Sequence, residues 1–424
     1  MPARRICIVS SGCLSTGPRV VKEADALSVA GHDVHVVVCH WMPGQAEWDV
    51  RLATGKPWSW SALSWKSALG VRRPSLVAGQ VLQRVGRGIA RVVGPLSPLD
   101  EVAFSGVSAA LVRHTRGTRA DLFIGHNLAA LPATAALARR AGVPFAFDAE
   151  DDHLGELPES EHGTLEARLR DTLLARYLPR CVYVSTPSEG IADSLQSRYG
   201  IARPVAVHNT FAWSSRATLD GVRRDRQHAG LSLYWCSQTV GLARGLQDAI
   251  RAAARVKGDI HLHVRGDGVE SVRDELRQLA REVGFGTERL HFHPQVHPDE
   301  LLSRTAEHDV GLALEQPDTL NRRETVANKV FLYLLAGLAV GATDTAGQRR
   351  VMHDSPDAGF LYGPGDIAAL TRLLQALHDD PVTLARMKTA ALAAARDRWS
   401  WEREQVRVIE AVERALRTPP PVAV

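Results

Sequence analysis

The stretch Arg322–Thr345, RRETVANKVFLYLLAGLAVGATDT, reads as a helix, a tight turn and a buried strand. One helix feeding one strand is half of a βαβ unit, and the same alternation spreads outward from it in both directions. Short β-rich runs, RRICIVS, DVHVVVC, DLFIG, FAFDA, CVYVST and VAVHN, fill the first half of the chain. LSLYWC, HLHVRG, RLHFHP, DVGLAL, LAVGAT and AGFLYG fill the second. Strands at this spacing with helical patterns between them predict parallel sheets. Six runs per half predict an α/β chain of two doubly wound domains.

Length agrees, because 424 residues exceed what one hydrophobic core supports. The expected boundaries are 1–212 for the first domain, 213–230 for a polar linker, 231–395 for the second domain and 396–424 for a closing amphipathic helix and tail. The chain is 45% apolar and 23% charged, with a net charge of only +4 at pH 7. That balance argues against nucleic acid as a partner. Five scattered cysteines, Cys7, Cys13, Cys39, Cys181 and Cys236, suggest a reducing compartment and no disulfide frame. The first apolar run is too short for a signal peptide, and the longest, Val330–Ala342, is short of the ~20 residues of a membrane span. The expectation is a cytoplasmic chain.

Ligands of open α/β sheets bind beyond the carboxyl ends of the strands, so those tips are where chemistry is expected. In SSGCLSTGPRVVKEADALSVAGHDVHVVV, Gly12 and Gly17 let a loop bend close to a ligand before a helix begun by Pro18, and Arg19 follows. A plain turn with a surface arginine is the competing reading. In DLFIGHNLAALPATAALARRAGVPFAFDAEDDH, His126 and Asn127 follow one strand, and Asp148, Glu150 and Asp151 follow the next. In the second half, YWCSQTVGLARGLQDAI places Ser237, Gln238, Thr239 and Arg244 where donors could hold a diphosphate, without the spacing of a P-loop. VRGDGVE puts Gly266 and Asp267 in a turn with room for a base or ribose. Glu324, Asn328 and Lys329 stand at the start of the opening helix, where amides and an ammonium suit a sugar joined to a diphosphate. A solvated helix lysine is the alternative for Lys329.

Other patterns carry less. GPGDIA (363–368) mimics a dinucleotide fingerprint but comes last in its domain, and reads as a turn and helix cap. His261, His263, His291, His293 and His297 hint at a metal, yet no cysteine or carboxylate stands at zinc-like spacing among them, so no metal site is expected. Trp41, Trp48, Trp58, Trp60 and Trp65 precede a basic amphipathic stretch at 71–93. This insertion, about 41–95, reads first as a packed flap, and alternatively as an acceptor platform or a peripheral membrane contact.

Taken in order, these motifs resemble those of the retaining, family-4-like glycosyltransferases of group 1. PRVVKEADALSVAGHDVHVVV and GHNLAALPATAALARRAGVPFAFDAED are similar to the family's acceptor domain. SQTVGLARGLQDAI, VRGDG and NKVFLYLLAGLAVGATD are similar to its phosphate turn, its Gly-Asp-Gly turn and its donor-site helix. The resemblance implies the GT-B architecture: two Rossmann-like domains facing across an interdomain cleft, with the last helix returning to the first domain. It implies catalytic roles for His126, Glu324, Arg244 and Lys329. It implies donor nucleotide-sugar contacts at Gly17, Ser237, Gln238, Thr239, Gly266, Asp267, Asn328 and Leu332. Arg19, Asn127, Asp148, Glu150 and Asp151 fall on the acceptor side. Arg244 stands where the family usually has lysine, and Gln238 where it has arginine. Glu324 matches the first glutamate of the family's E-x7-E pair, and Leu332 replaces the second, which usually binds ribose.

The resemblance further implies front-face transfer from a GDP- or UDP-sugar with no cofactor and no metal. The acceptor is expected to be a small molecule of bacterial specialised, antibiotic-type metabolism. A lipid-linked or polysaccharide acceptor at a membrane surface is the alternative. A non-catalytic sugar-nucleotide-binding protein, suggested by Leu332 and Gln238, is a second, and an NAD-dependent enzyme resting on GPGDIA a third. A homodimer is a candidate assembly.

Overall fold

The computed structural model describes residues 2–42, 44–65, 73–95 and 99–417. Parts of the tryptophan-rich insertion and of the basic stretch, 66–72 among them, lie outside the described residues. The chain forms two compact units. The first comprises 1–208, 319–321 and 405–424, and the second 209–318 and 322–404.

The first unit is built on seven parallel strands: β1 (Arg5–Ser10), β2 (Asp33–His40), β3 (Ser59–Ser64), β4 (Leu122–His126), β5 (Phe145–Asp148), β6 (Val184–Thr186) and β7 (Val205–Ala206), in the order β3-β2-β1-β4-β5-β6-β7. The second has six: β8 (Leu231–Thr239), β9 (Ile260–Asp267), β10 (Leu290–His293), β11 (Val310–Ala313), β12 (Ala339–Thr343) and β13 (Gly359–Tyr362), in the order β10-β9-β8-β11-β12-β13. Both are doubly wound sheets, and each reverses its strand order beside its first strand. The switch points therefore lie beyond the carboxyl ends of β1 and β4, and of β8 and β11.

Burial on both faces explains the continuous apolar runs. Along β8, Leu233 and Trp235 enter one core with Ile250, Leu262 and Leu312. Tyr234 and Cys236 enter the opposite core with Phe331, Leu332 and Tyr333. The extra strand of the first unit, β3, comes from the tryptophan-rich insertion and pairs with β2 at the sheet edge. Trp58 is buried and donates to Asp25, Trp41 donates to the carbonyl of Ser11 at 2.6 Å, and Trp60 packs edge-on to His40. Within the described part of the insertion, β3 and Trp58 are packed onto the sheet, while Trp41 and Trp48 stay exposed.

The opening stretch departs from a single helix. A short helix, Leu320–Glu324, ends, three residues run extended, and a second helix, Asn328–Ala336, begins. Gly347 permits the break: a Cβ there would lie 2.4 Å from the Thr325 carbonyl and 2.5 Å from that of Glu324. Gly337, at φ 78°, then turns the chain into β12.

The expected linker segment, 213–230, is not free chain. Glu307 accepts the backbone N–H groups of Arg224, Asp225 and Arg226, and Ser303 accepts that of Asp220. At GPGDIA, Asp366 caps the helix Ile367–Asp379 by accepting from Ala369 N at 2.8 Å. Among the described residues no helix is long and apolar enough to cross a membrane.

Candidate active site

At the switch point of the first unit, neighbouring strand ends bring Ser10, His126 and Asp148 into register. The helix Pro18–Val29 starts just after Gly17 and carries Arg19 and Glu23 on one face, one turn apart. Arg19 does not reach outward. Its Nε donates to Asp148 at 3.0 Å, its Nη2 to the other oxygen of the same carboxylate, and its Nη1 to the Val207 carbonyl at 2.6 Å. Ser185 completes the shell of Asp148 at 2.9 Å. Burial alone would raise the Asp148 carboxyl, but Arg19 and His126 hold it below its ordinary range.

His126 is fully buried, with Nδ1 donating to Glu150 at 2.9 Å and Nε2 to Glu23. Burial acts to lower its pKa, and the two carboxylates more than offset it, raising it to about 10. His126 is therefore an imidazolium at neutral pH, with no lone pair to act as a base. Asn127 and Glu150, next to it in the site, both take left-handed backbone conformations, φ 55° and 60°. For residues other than glycine this is a strain that clusters at functional sites. Asn127 is tied to Ser11, and Asp151 accepts from Asn321 at 2.8 Å. Burial and the nearby Glu156 raise Asp151 to about 6. Asp49 fixes the loop before Gly17 by accepting the N–H groups of Leu14 and Ser15 at 2.8 and 2.9 Å.

The second unit carries a cationic site at the ends of β8 and β11. Lys329, in the first turn of Asn328–Ala336, donates to Glu315 at 2.7 Å and lies 5.1 Å from the centre of the Trp235 ring. That helix has no side-chain cap at Ala327; Val330 N donates to the Ala327 carbonyl at 2.9 Å, and the N–H groups of Asn328 and Lys329, without a hydrogen-bond partner among the described residues, are open to an anion. Lys329 first, with Arg244 and Arg322 behind it, holds Glu315 below its ordinary pKa against the effect of burial. Arg244 makes no hydrogen bond or ion pair among the described residues, although it is half-buried. It stands in the turn Leu242–Arg244. Gly245 follows at φ 73°, where a Cβ would meet the Leu314 carbonyl at 2.6 Å. Only glycine lets this turn close on the end of β11.

Ser237, Gln238 and Thr239 line the end of β8, where Val240 N donates to the Asp267 carbonyl at 2.7 Å; Gly266 and Asp267 are not in the expected turn but form the end of β9, with Asp267 paired to Thr239. Gln238 and Thr239 are exposed. Glu324 is half-buried, and its carboxylate has no hydrogen-bond or ion-pair partner among the described residues. Leu332 is not at this surface: it is 3% exposed and packed in the core beside Phe331 and Tyr333.

Among the expected residues, the structure gathers Gly17, Arg19, His126, Asn127, Asp148, Glu150 and Asp151 in the first unit. It gathers Ser237, Gln238, Thr239, Arg244, Gly266, Asp267, Asn328 and Lys329 in the second, and leaves Leu332 inside. Sequence reasoning missed Glu23, Asp49, Ser185 and Glu315. Glu23 had a signal, one helical turn after Arg19, and Glu315 stands directly after the DVGLAL run.

A family model for the glycosyl transferase 4-like domain matches residues 16–210, and one for glycosyl transferases group 1 matches 233–380. Comparison with curated proteins finds no match. Among solved structures the chain is similar to HepE of Anabaena, crystallised with UDP and glucose, at 15% identity over 97% of this chain and all of that one, with a TM-score of 0.70. It is similar to sucrose-phosphate synthase from Thermosynechococcus elongatus at 12% identity, 97% and 98% coverage and a TM-score of 0.70. A glycosyltransferase from Rickettsia africae gives 12% identity, 99% and 100% coverage and a TM-score of 0.68. The two domain models in sequence order, and the shared fold, lead to one assignment: this chain is a glycosyltransferase of group 1 with the GT-B fold.

Proposed function

We propose that the protein is a retaining glycosyltransferase that takes a sugar from a nucleoside diphosphate, with UDP the first candidate because HepE is known with UDP and with UDP-glucose. The observation that carries this reading is the Lys329–Glu315 pair beside an uncapped helix N-terminus, with the unpaired Arg244 close by. A diphosphate bound there meets an ammonium, a guanidinium and free amides. All three stabilise charge that grows as the bond from the anomeric carbon to the phosphate oxygen breaks. The electron pair stays on that oxygen. The acceptor attacks on the same face, and its proton passes to the departing phosphate. No side-chain nucleophile is needed, and no metal enters these steps.

Glu324, with no partner of its own, is the carboxylate available to sugar hydroxyls in this reading. His126 acts as a positioning residue: its proton pair holds Glu150 and the strained turn at Asn127 in place. The ribose, with Leu332 buried, is assigned to the end of β9 at Gly266 and Asp267.

A specific observation favours a lipid-surface acceptor over a soluble small molecule of specialised metabolism. The helix Pro74–Val93 buries Leu76, Gly79, Gly86 and Ala90, and leaves Val77, Val81, Leu82, Val85, Ile89 and Val92 exposed. Arg84 and Arg91 are exposed on the same helix. An outward apolar face with arginines beside it suits the interface of an anionic membrane.

Proton NMR of the protein incubated with UDP-α-glucose tests the transfer chemistry with water as the acceptor. The expected outcome is slow release of UDP with α-glucose as the first-formed sugar. First-formed β-glucose would overturn retention, and an untouched donor across UDP- and GDP-sugars would overturn the donor class.

A further inference from the structure

The histidines set aside on sequence spacing are brought together by the sheet. His261 and His263 share one face of β9, and His291 and His293 share one face of the edge strand β10, with His291 in register with His263. A fifth histidine, His228, comes from the segment leading into β8, and its ring stacks on His261 at 3.5 Å between centroids. Its Nε2 lies 2.8 Å from Nε2 of His263. His263 in turn contacts His293 through Nδ1 at 2.9 Å, and His261 contacts His291 at 2.9 Å.

We propose that His228, His263 and His291 form a binding site for a divalent late transition-metal ion, Zn2+ being the type, in the second unit and separate from the transfer chemistry. One ring nitrogen from each lies within 4.8 Å of the others. A tetrahedral ion with bonds of about 2.0–2.1 Å needs its nitrogens about 3.3 Å apart, so small side-chain movements suffice. An all-imidazole donor set suits Zn2+, Co2+, Ni2+ or Cu2+ and offers nothing that Mg2+ or Ca2+ prefers.

The surroundings fit a cation. Asp259 holds His261 at 2.9 Å and Asp225 stands 3.4 Å from His293, the outer carboxylates that orient ligating or neighbouring imidazoles. The two nearby guanidinium groups are already paired, Arg226 with Asp309 at 2.9 Å and Arg265 with Asp225. His228 Nδ1 and His308 Nε2 are buried without a hydrogen-bond partner among the described residues. His308 packs against His263 at 4.5 Å between ring centroids. His228 and His291 are half-buried, which leaves a way in, while His263 closes the back. A bound ion would pin the segment carrying His228 to the sheet edge.

The test uses the untagged full chain, stripped with EDTA and freed of it, and titrated with Zn2+ against a chromophoric chelator. The expected result is one equivalent bound per chain, a rise in Tm, and at least about tenfold weaker binding in His228→Ala and in His291→Ala. His228 lies outside the strands, so its variant keeps the test decisive if His291→Ala fails to fold. No stoichiometric Zn2+ binding, or unchanged affinity in His228→Ala, would overturn the site. Displacement of Zn2+ by millimolar Mg2+ would do the same.

Discussion

His126 and Leu332 are the residues at which side-chain surroundings alter the reading most. Both nitrogens of His126 are occupied by carboxylates, so its charge is structural in the unbound protein. Its pKa rises from an ordinary 6.5 to about 10 in the folded state. The stabilisation is therefore complete below about pH 6.5 and lost as pH climbs through about 10. Thermal melts should show the wild-type Tm falling across that window, with His126→Gln lower at pH 7 and lacking this fall. Equal pH profiles would remove the imidazolium from the account. The strand-tip position of His126 was legible in DLFIGHN. Its partner Glu23 is a hundred residues away along the chain, and only the pairing of β1 with β4 brings the two together.

Leu332 stands where the resemblance places a ribose carboxylate, yet it fills the core beside Phe331. Leu332→Glu should destabilise the protein by about 3 kcal/mol or more, because it removes a packed side chain and buries an unpaired carboxyl group. A lower Tm with no gain in UDP affinity is the expected result. An unchanged Tm with tighter UDP binding would put this side chain at the ribose instead. The apolar spacing of VFLYLLA was enough to read a helix. It did not reveal the break at 325–327, because Val326 and Ala327 fit a helical pattern and the cause, Gly347, lies far downstream.

Among the elements, the helix Pro74–Val93 inverts the usual arrangement. Gly79, Gly86 and Ala90 face the protein together with Leu76: a Cβ on Gly79 would lie 2.1 Å from the Gly106 carbonyl, so close backbone approach and one buried leucine seat the helix. The exposed valines are then free to meet lipid. Flotation with anionic liposomes should carry the wild-type protein upward, and Val81→Asp with Val85→Asp should abolish this while leaving Tm unchanged. Equal flotation of both, or none of either, would return the acceptor to solution. The sequence made this stretch basic and amphipathic, but which face points outward depends on the glycine stripe meeting its neighbour. In the same way β3 was hidden, since SWSALS with its serines and tryptophan reads as part of a flap until it pairs with β2.

On the scale of the whole chain, two doubly wound sheets were legible because twelve β-rich runs alternate with helical patterns, and each run found in the sequence lies in a strand or at its edge. The order of motifs was legible too, and the two domain matches fall in that order. What the chain acts on is less visible, since the polar groups at the first unit's strand ends come from separated segments whose side chains bind one another in the unbound state. The donor side is more exposed to test, because Lys329 stands at its centre. Calorimetry with UDP and GDP on the wild-type protein and on Lys329→Met addresses it. The prediction is binding of one nucleotide per chain by the wild type. Loss of a charge-assisted contact worth about 1.5–3 kcal/mol should make the variant about 10- to 100-fold weaker. Failure of the wild type to bind either nucleotide, or equal affinity in the variant, would contradict the account.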